Sequence, residues 1–563
     1  MAEQAPPPPP PPPPPTPPPP PPPTDPVPGG ASPEPVGSDR GRGKMAVIGG
    51  VAAALVLGGG YGAYAVYDKL DGGGAQPHDV MPASTQVYAR IDLDPSASQK
   101  VALFRLIRKF PDLAKQVGIR DEDQDIRKLV FDEALKGCDG VDFEDDVKPW
   151  LGDRVGVGAQ MKDGEKVVIA VQTKDETKSR EGIKKLFGCG GDAYGIAYLD
   201  GYAILAPKQA DVDASIKATE KASLGDSKRF IDDFDELGGE GIASAWVDVA
   251  SLADVPEAKQ QLGAQADDLA ATGSVAMTLR VDGNALELAA LSGTQQEQEA
   301  SPGDLAKLPS DTVVAMSVAG VGDQVRSTFD TFVKTFDEAA STFNGVAGLE
   351  QRARGGSGPG LAMGDEYTGT YAAQPPRSAQ DFIDEFERAT GFALPEDLET
   401  LFGDSLTLSI SAKNLETLPQ ISGPEGLSDL DVALSLESDR TKALDLVQRI
   451  AAQAREAGIA LVAVPTDDGA VLATNDGAAA ALAEPDGSLG DVKAFKEVIP
   501  DGDEAYAGFY LDVGTILDKV LEADPPEEIR SGIEEAKALS AVGVSVTEKD
   551  GNRSLTSLRI AFE

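Results

Sequence analysis

The side chains able to do chemistry in this chain are few and poorly matched to one another. His78 is the only histidine among 563 residues. It follows Gly72-Gly73-Gly74, in a stretch (68–78) that reads as a linker ahead of the first folded unit. A Ser-His-Asp triad or a histidine-ligated zinc inside the folded part is therefore not expected. Cys138 and Cys189 each lie beside glycine near an expected helix end. Outside a membrane an even pair reads as a disulfide, here closing a loop of about fifty residues; two free buried thiols are the alternative. Asp121, Asp123, Asp125 and Asp132 imitate a calcium loop, but Ile126 stands where glycine is needed and the last ligand is Asp, so a solvated helix start is expected. No glycine-rich nucleotide loop and no nucleophile elbow is present. With 93 acidic against 50 basic residues, carboxylate pairs arise everywhere and say little about hydrolysis. Neither a cofactor nor a metal is expected.

What does stand out is repetition. Ser223-Leu224-Gly225-Asp226 continues to Lys228 and Phe230, and Ser488-Leu489-Gly490-Asp491 continues to Lys493 and Phe495, 265 positions later. Asp226 and Asp491 suit the N-caps of a short helix, with Phe230 and Phe495 turned into the core. A ligand site is the alternative. Around these segments, Pro82, Thr85, Val87 and Ile91 match Pro309, Thr312, Val314 and Val318 at an offset of 227. Asp146, Trp150, Gly152, Asp153 and Val155 match Asp397, Leu401, Gly403, Asp404 and Leu406 at 251, and Asp282-Gly283-Asn284 matches Asp550-Gly551-Asn552 at 268. Matches in one unbroken order imply two copies of one fold. The copies run over 79–298 and 301–563, and the second carries an exposed, flexible insertion at 345–377, rich in glycine.

The elements that would position these residues follow from apolar alternation. Strands are expected at 86–92, 154–160, 166–173, 193–199, 202–206, 242–249, 275–281 and 285–291. Asp-Gly turns such as Asp200-Gly201 and Asp282-Gly283 join several of them. Helices at 98–117, 181–187 and 210–221 alternate with the strands. The expected fold class is α+β, two duplicated copies with antiparallel sheets and flanking helices, not a parallel doubly wound sheet. A helix at 327–343 carries Phe329, Phe332, Phe336 and Phe343. Its stripe reads as core-facing, with an apolar groove for a lipid-like ligand as the alternative. Lys100, Arg105, Arg108 and Lys109 form a basic helix face, expected to pair with the acids of 121–125 or 142–146.

Residues 1–44 hold 21 of the 41 prolines and read as a disordered, proline-rich tail. Arg40, Arg42 and Lys44 precede 45–67, 23 residues without a charge. That length spans a bilayer as a single transmembrane helix, with the N-terminus cytoplasmic and the rest outside. A cleaved signal peptide is the competing reading, because Ala63-Tyr64-Ala65 has the small-x-small form. Beyond Lys44 there are 89 acids against 47 bases, a charge that repels nucleic acid and anionic headgroups.

The chain resembles the actinobacterial membrane-anchored proteins of domain-of-unknown-function family 3352. The resemblance rests on Asp79-Val80-Met81-Pro82-Ala83-Ser84-Thr85, Tyr88-Ala89-Arg90-Ile91-Asp92-Leu93-Asp94-Pro95, Lys148-Pro149-Trp150-Leu151-Gly152-Asp153 and Asp200-Gly201-Tyr202-Ala203. It implies a cytoplasmic tail, one span and a duplicated outer module, and it brings no activity and no functional residue. The expected function is non-enzymatic: an extracytoplasmic module that binds or scaffolds envelope polymer or partner proteins. Carriage of a lipid or other apolar ligand is the second reading, and hydrolysis by a carboxylate pair the third.

Overall fold

The computed structural model describes residues 74–93, 140–162, 164–190, 193–263, 265–293, 303–322, 324–337, 378–421, 423–549 and 552–563, with a few positions between 125 and 131. Residues 1–73, with the expected tail and span, lie outside the described residues, as do the basic helix face, Cys138 and the whole of the expected insertion. No helix among the described residues is long and apolar enough to cross a membrane.

The fold is α+β, built on one antiparallel sheet with helices flanking it. Eight strands come from the first half: β1 Val87–Asp92, β2 Leu151–Gln160, β3 Lys166–Thr173, β4 Gly195–Leu199, β5 Tyr202–Ala206, β6 Ala243–Val247, β7 Val275–Asp282 and β8 Ala285–Gly293. Eight more follow: β9 Thr312–Ala319, β10 Ser405–Ser411, β11 Val432–Glu437, β12 Val462–Pro465, β13 Gly469–Ala473, β14 Ala505–Asp512, β15 Leu539–Lys549 and β16 Arg553–Phe562. The order across the sheet is β12-β13-β11-β10-β9-β14-β15-β16-β8-β7-β6-β1-β2-β3-β5-β4. From the middle outward, the two halves run through their strands in the same sequence.

The seam is the pair β8/β16. Its antiparallel register sets Ala289 opposite Ser557. Those two residues are 268 positions apart, the offset of the flanking Asp-Gly-Asn turns, so each half meets the other through the same position of its last strand. Asn552 has a positive φ of 58° and Gly283 one of 59°, the left-handed backbone that tight hairpins require. Side chains reinforce the seam. Ser557 Oγ donates to Glu287 at 2.8 Å, Arg559 Nη2 to Asp282 at 2.8 Å, and Arg553 Nη1 to Asp233 at 3.1 Å.

Helices cover one face of the sheet throughout. In the first half these are α2 (Gln209–Thr219) and α3 (Lys228–Glu236), whose Val212, Phe230 and Phe234 join a core with Tyr88, Trp246 and Leu291. On the opposite face, α1 (Glu176–Gly190) contributes Ile183 and Phe187 to a second core over the outer strands. The second half repeats this arrangement. Phe495 and Val498 of α9 (Lys493–Val498) cover the first face, and Leu446 and Val447 of α7 (Arg440–Glu456) cover the outer strands on the second. Between them in the chain are α4 (324–337), α5 (Ala379–Thr390), α6 (Glu396–Phe402) and α8 (Asp476–Ala483).

Candidate functional site

The repeated Ser-Leu-Gly-Asp segment holds down the chain as it enters each half. In the first half a 3₁₀ turn at Pro77–Val80 crosses the covered face. Leu224 N donates to Met81 O at 2.8 Å, and in the second half Leu489 N donates to Leu308 O at 2.7 Å. Gly225 lies directly beneath the crossing: a Cβ there would stand 2.6 Å from Asp79 Oδ1 and 2.8 Å from His78 Cδ2. Ser223, not Asp226, is the N-cap. Asp226 sits at the third helical position, and its carboxylate accepts from Ser223 N at 2.8 Å and Ser223 Oγ at 3.0 Å. Asp491 makes no such box and instead pairs with Lys496 at 3.2 Å. Phe230 and Phe495 are buried, while Lys228 and Lys493 point to solvent and pair with Asp232 and Glu497.

Beneath the first crossing lies a charge cluster that sequence reasoning missed. His78 is not in a linker: it packs against Tyr88 and Phe230, with ring centroids 6.2 and 5.1 Å away. Its Nδ1 stands 3.1 Å from Glu240 Oε2. Arg90 Nη1 donates to the same Glu240 oxygen at 2.9 Å and to Gln76 Oε1 at 3.0 Å, and Arg90 Nη2 donates to Gly241 O at 2.9 Å. Asp92 Oδ2 lies 3.7 Å from Arg90 and 4.0 Å from Arg154. Burial opposes the charge on Glu240, but Arg90 and His78 outweigh it and hold the carboxyl at about 2. Burial would likewise lower His78, yet the neighbouring Glu240 carboxylate raises it above the ordinary histidine value. Burial and the same carboxylate push the Tyr88 hydroxyl up. The charges are matched and tightly enclosed, which suits a structural cluster that pins residues 76–81 to the sheet.

At the seam, a cleft of about 590 Å³ is lined by Lys228, Arg229, Asp233, Ser274, Asn552 and Arg553, among others. Asp233 is its buried hub, accepting from Trp246 Nε1 at 2.8 Å, Ser274 Oγ at 2.6 Å and Arg553. Arg229 pairs with Asp248 at 3.1 Å. The cations are thus neutralised by their own neighbours.

The remaining feature, among the described residues, is a partly exposed apolar row at the middle of the sheet. Strand pairing sets Leu279, Leu288, Leu558, Val544, Phe509 and Met316 side by side across six strands. Met316 is 41 % exposed and the other five are partly exposed. The adjacent row, facing the helices, reads Thr278, Ala289, Ser557, Ser545, Gly508 and Ser317, and is buried. An antiparallel sheet with one solvated face ordinarily turns its large apolar residues inward and its polar ones out. Here the large, mostly aliphatic row lies on the more exposed face, beside the buried Val281, Leu286 and Ala243 of that same face, and the small and hydroxyl residues are covered.

Other expected features are placed as follows. The phenylalanine stripe of α4 does not face the core. Phe332 is 47 % exposed, and Phe336 stacks at 6.3 Å on Phe382 of α5, itself half exposed. Phe343 lies outside the described residues, as do Asp121, Asp123 and Asp132. Asp125 is engaged by Arg127, with Arg127 Nε at 2.8 Å. Cys189 lies in the last turn of α1, but Cys138 is outside the described residues. Among the described residues no group of His, Cys, Asp and Glu is disposed to hold a metal.

The family model "Protein of unknown function (DUF3352)" matches residues 48–195. That match supports the family suggested by the sequence segments. It reaches from the expected span to the first residue of β4, about a quarter of the chain. No curated protein matches. A solved structure described as "Structure of crystal form IV of TP0453" matches at 10 % identity, covering 40 % of this chain and 82 % of that one with a TM-score of 0.22. A likeness at that level supports no inference about fold or function.

Proposed function

We propose that the protein is a non-catalytic binding module of the cell envelope, tethered by residues 45–67 with its N-terminus inside, and that it binds through the partly exposed apolar row of the central strands. The tether is supported by the length of the uncharged stretch and the basic residues before it. The binding reading is carried by the inverted partition at the middle of the sheet, where large aliphatic side chains face outward over the seam. A continuous apolar surface left open on a folded chain marks a place of interaction.

The test is binding of an environment-sensitive naphthyl probe to the full-length chain. Leu288→Asn and Leu558→Asn should each lower probe affinity several-fold while cooperative unfolding is kept. Unchanged binding in both variants would remove the face as the binding surface.

A further inference from the structure

We infer that the occupant of the open face is an extended hydrocarbon chain, such as the acyl chain of a neutral or zwitterionic lipid. This rests on the reading of the face as a binding surface. Three observations carry it. First, the row is aliphatic along its length: Leu279, Leu288, Leu558, Val544 and Met316 offer dispersion and no hydrogen bond, and Phe509 is its one aromatic member. Protein interfaces concentrate Trp, Tyr and Arg at their centres, and the row contains none of these. Second, six strands at about 4.8 Å spacing make the row roughly 24 Å long. Half the hydrocarbon thickness of a bilayer, roughly 15 Å, is the reach of one acyl chain, so such a chain fits lying across the strands. Third, the chain beyond Lys44 carries 89 acids against 47 bases, a charge that repels an anionic headgroup within a Debye length and leaves uncharged or zwitterionic heads as the class admitted.

The experiment titrates the full-length chain, loaded with the naphthyl probe, with alkyl phosphocholines of increasing chain length, each below its micellar concentration. Displacement should strengthen with each added methylene, by up to about fourfold, the ratio for a fully buried methylene. It should be weaker for an alkyl sulfate of equal length, and salt should narrow that gap. Leu288→Asn should weaken displacement by both. Probe binding without displacement by any alkyl chain would overturn the hydrocarbon assignment and leave the binding face standing. Loss of both signals would overturn the two together. Sedimentation velocity run alongside discriminates a further occupant: a dimer that dissociates as probe binds would assign the face to a second copy of the chain and refute the lipid.

Discussion

The covered faces of the two halves share a backbone and differ in chemistry. Where the first half places Tyr88, Arg90 and Asp92 on β1, the second places Ala315, Ser317 and Ala319 on β9 in the same register. Arg154, opposite Asp92, corresponds to Ser405, opposite Ala319. His78 corresponds to Leu305, whose Cδ2 lies 2.7 Å from where a Cβ on Gly508 would stand. Glu240 corresponds to Glu504, which is exposed. In place of a guanidinium held by carboxylates, the second half has a bond of 2.9 Å between the hydroxyls of Ser317 and Thr407. The frame therefore does not require the ionic cluster, since an apolar and hydroxyl filling suffices. Buried ion pairs are costly to desolvate and equally costly to break singly, so the cost of losing one residue should differ sharply between equivalent sites.

The largest contrast is expected at Arg90. Arg90→Met leaves Glu240 and Asp92 enclosed without their main counter-charge and should cost about 3–5 kcal/mol, whereas Ser317→Ala should cost about 1 kcal/mol. Denaturant midpoints of the full chain measure both, and equal losses would break the comparison. Next is the glycine of the repeated segment. Gly225→Ala forces a methyl against Asp79 and His78 and should cost about 1–3 kcal/mol. At Gly490 the nearest atom would be Ala306 Cβ at 3.1 Å, so Gly490→Ala should cost less than Gly225→Ala in the same assay.

Smaller effects sharpen the contrast through pH. The elevated pKa of His78 means that its contribution is complete below the unfolded value and is lost as pH rises through the folded one. Stability of the first half should therefore decline on the alkaline side of about 6.5. His78→Leu, which installs the second half's residue, should flatten that decline; an unchanged slope would show that the imidazole is not the titrating group. In the second half the slope has a different source. Burial and the hydrogen-bonded Asp304 carboxylate push Glu437 up to about 7. A carboxyl raised in the folded state costs stability as pH climbs from its unfolded value towards 7. Glu437→Gln should remove that loss, read as a shallower fall of the full chain's denaturant midpoint between pH 4.5 and 7 than in the parent.

Much of the frame was legible from local pattern. The edges of β3 and β5 coincide with the alternating runs 166–173 and 202–206, because each run ends at a turn residue. β2 starts three residues earlier than its pattern, at Leu151, since Gly152-Asp153 lies in an irregularity of the strand, where the register against β3 shifts between Leu151 and Val155. The phenylalanine stripe of α4 misled for a related reason: helical spacing says that residues share a face, not what that face meets. The charge cluster was harder to read. Gln76, Arg90, Arg154 and Glu240 are scattered along the chain and meet only through the placement of β1 between β2 and β6. A signal did exist. Arg90 and Asp92 occupy inward positions where the matched residues at offset 227 are small. The seam left no local trace, because the pattern of β8 shows two usable faces without showing which strand lies beside it.

The pairing of Ala289 with Ser557 has a consequence for how such a molecule can change. Two identical subunits docked at that strand would receive every amino-acid replacement twice, so a charge introduced near the axis would confront its own image. Covalent continuity lifts that restriction. Arg559 can stand directly opposite Glu287, and an imidazole can settle in one lobe with leucine in the other, because each lobe is encoded separately and can specialise while its mirror position stays as it was.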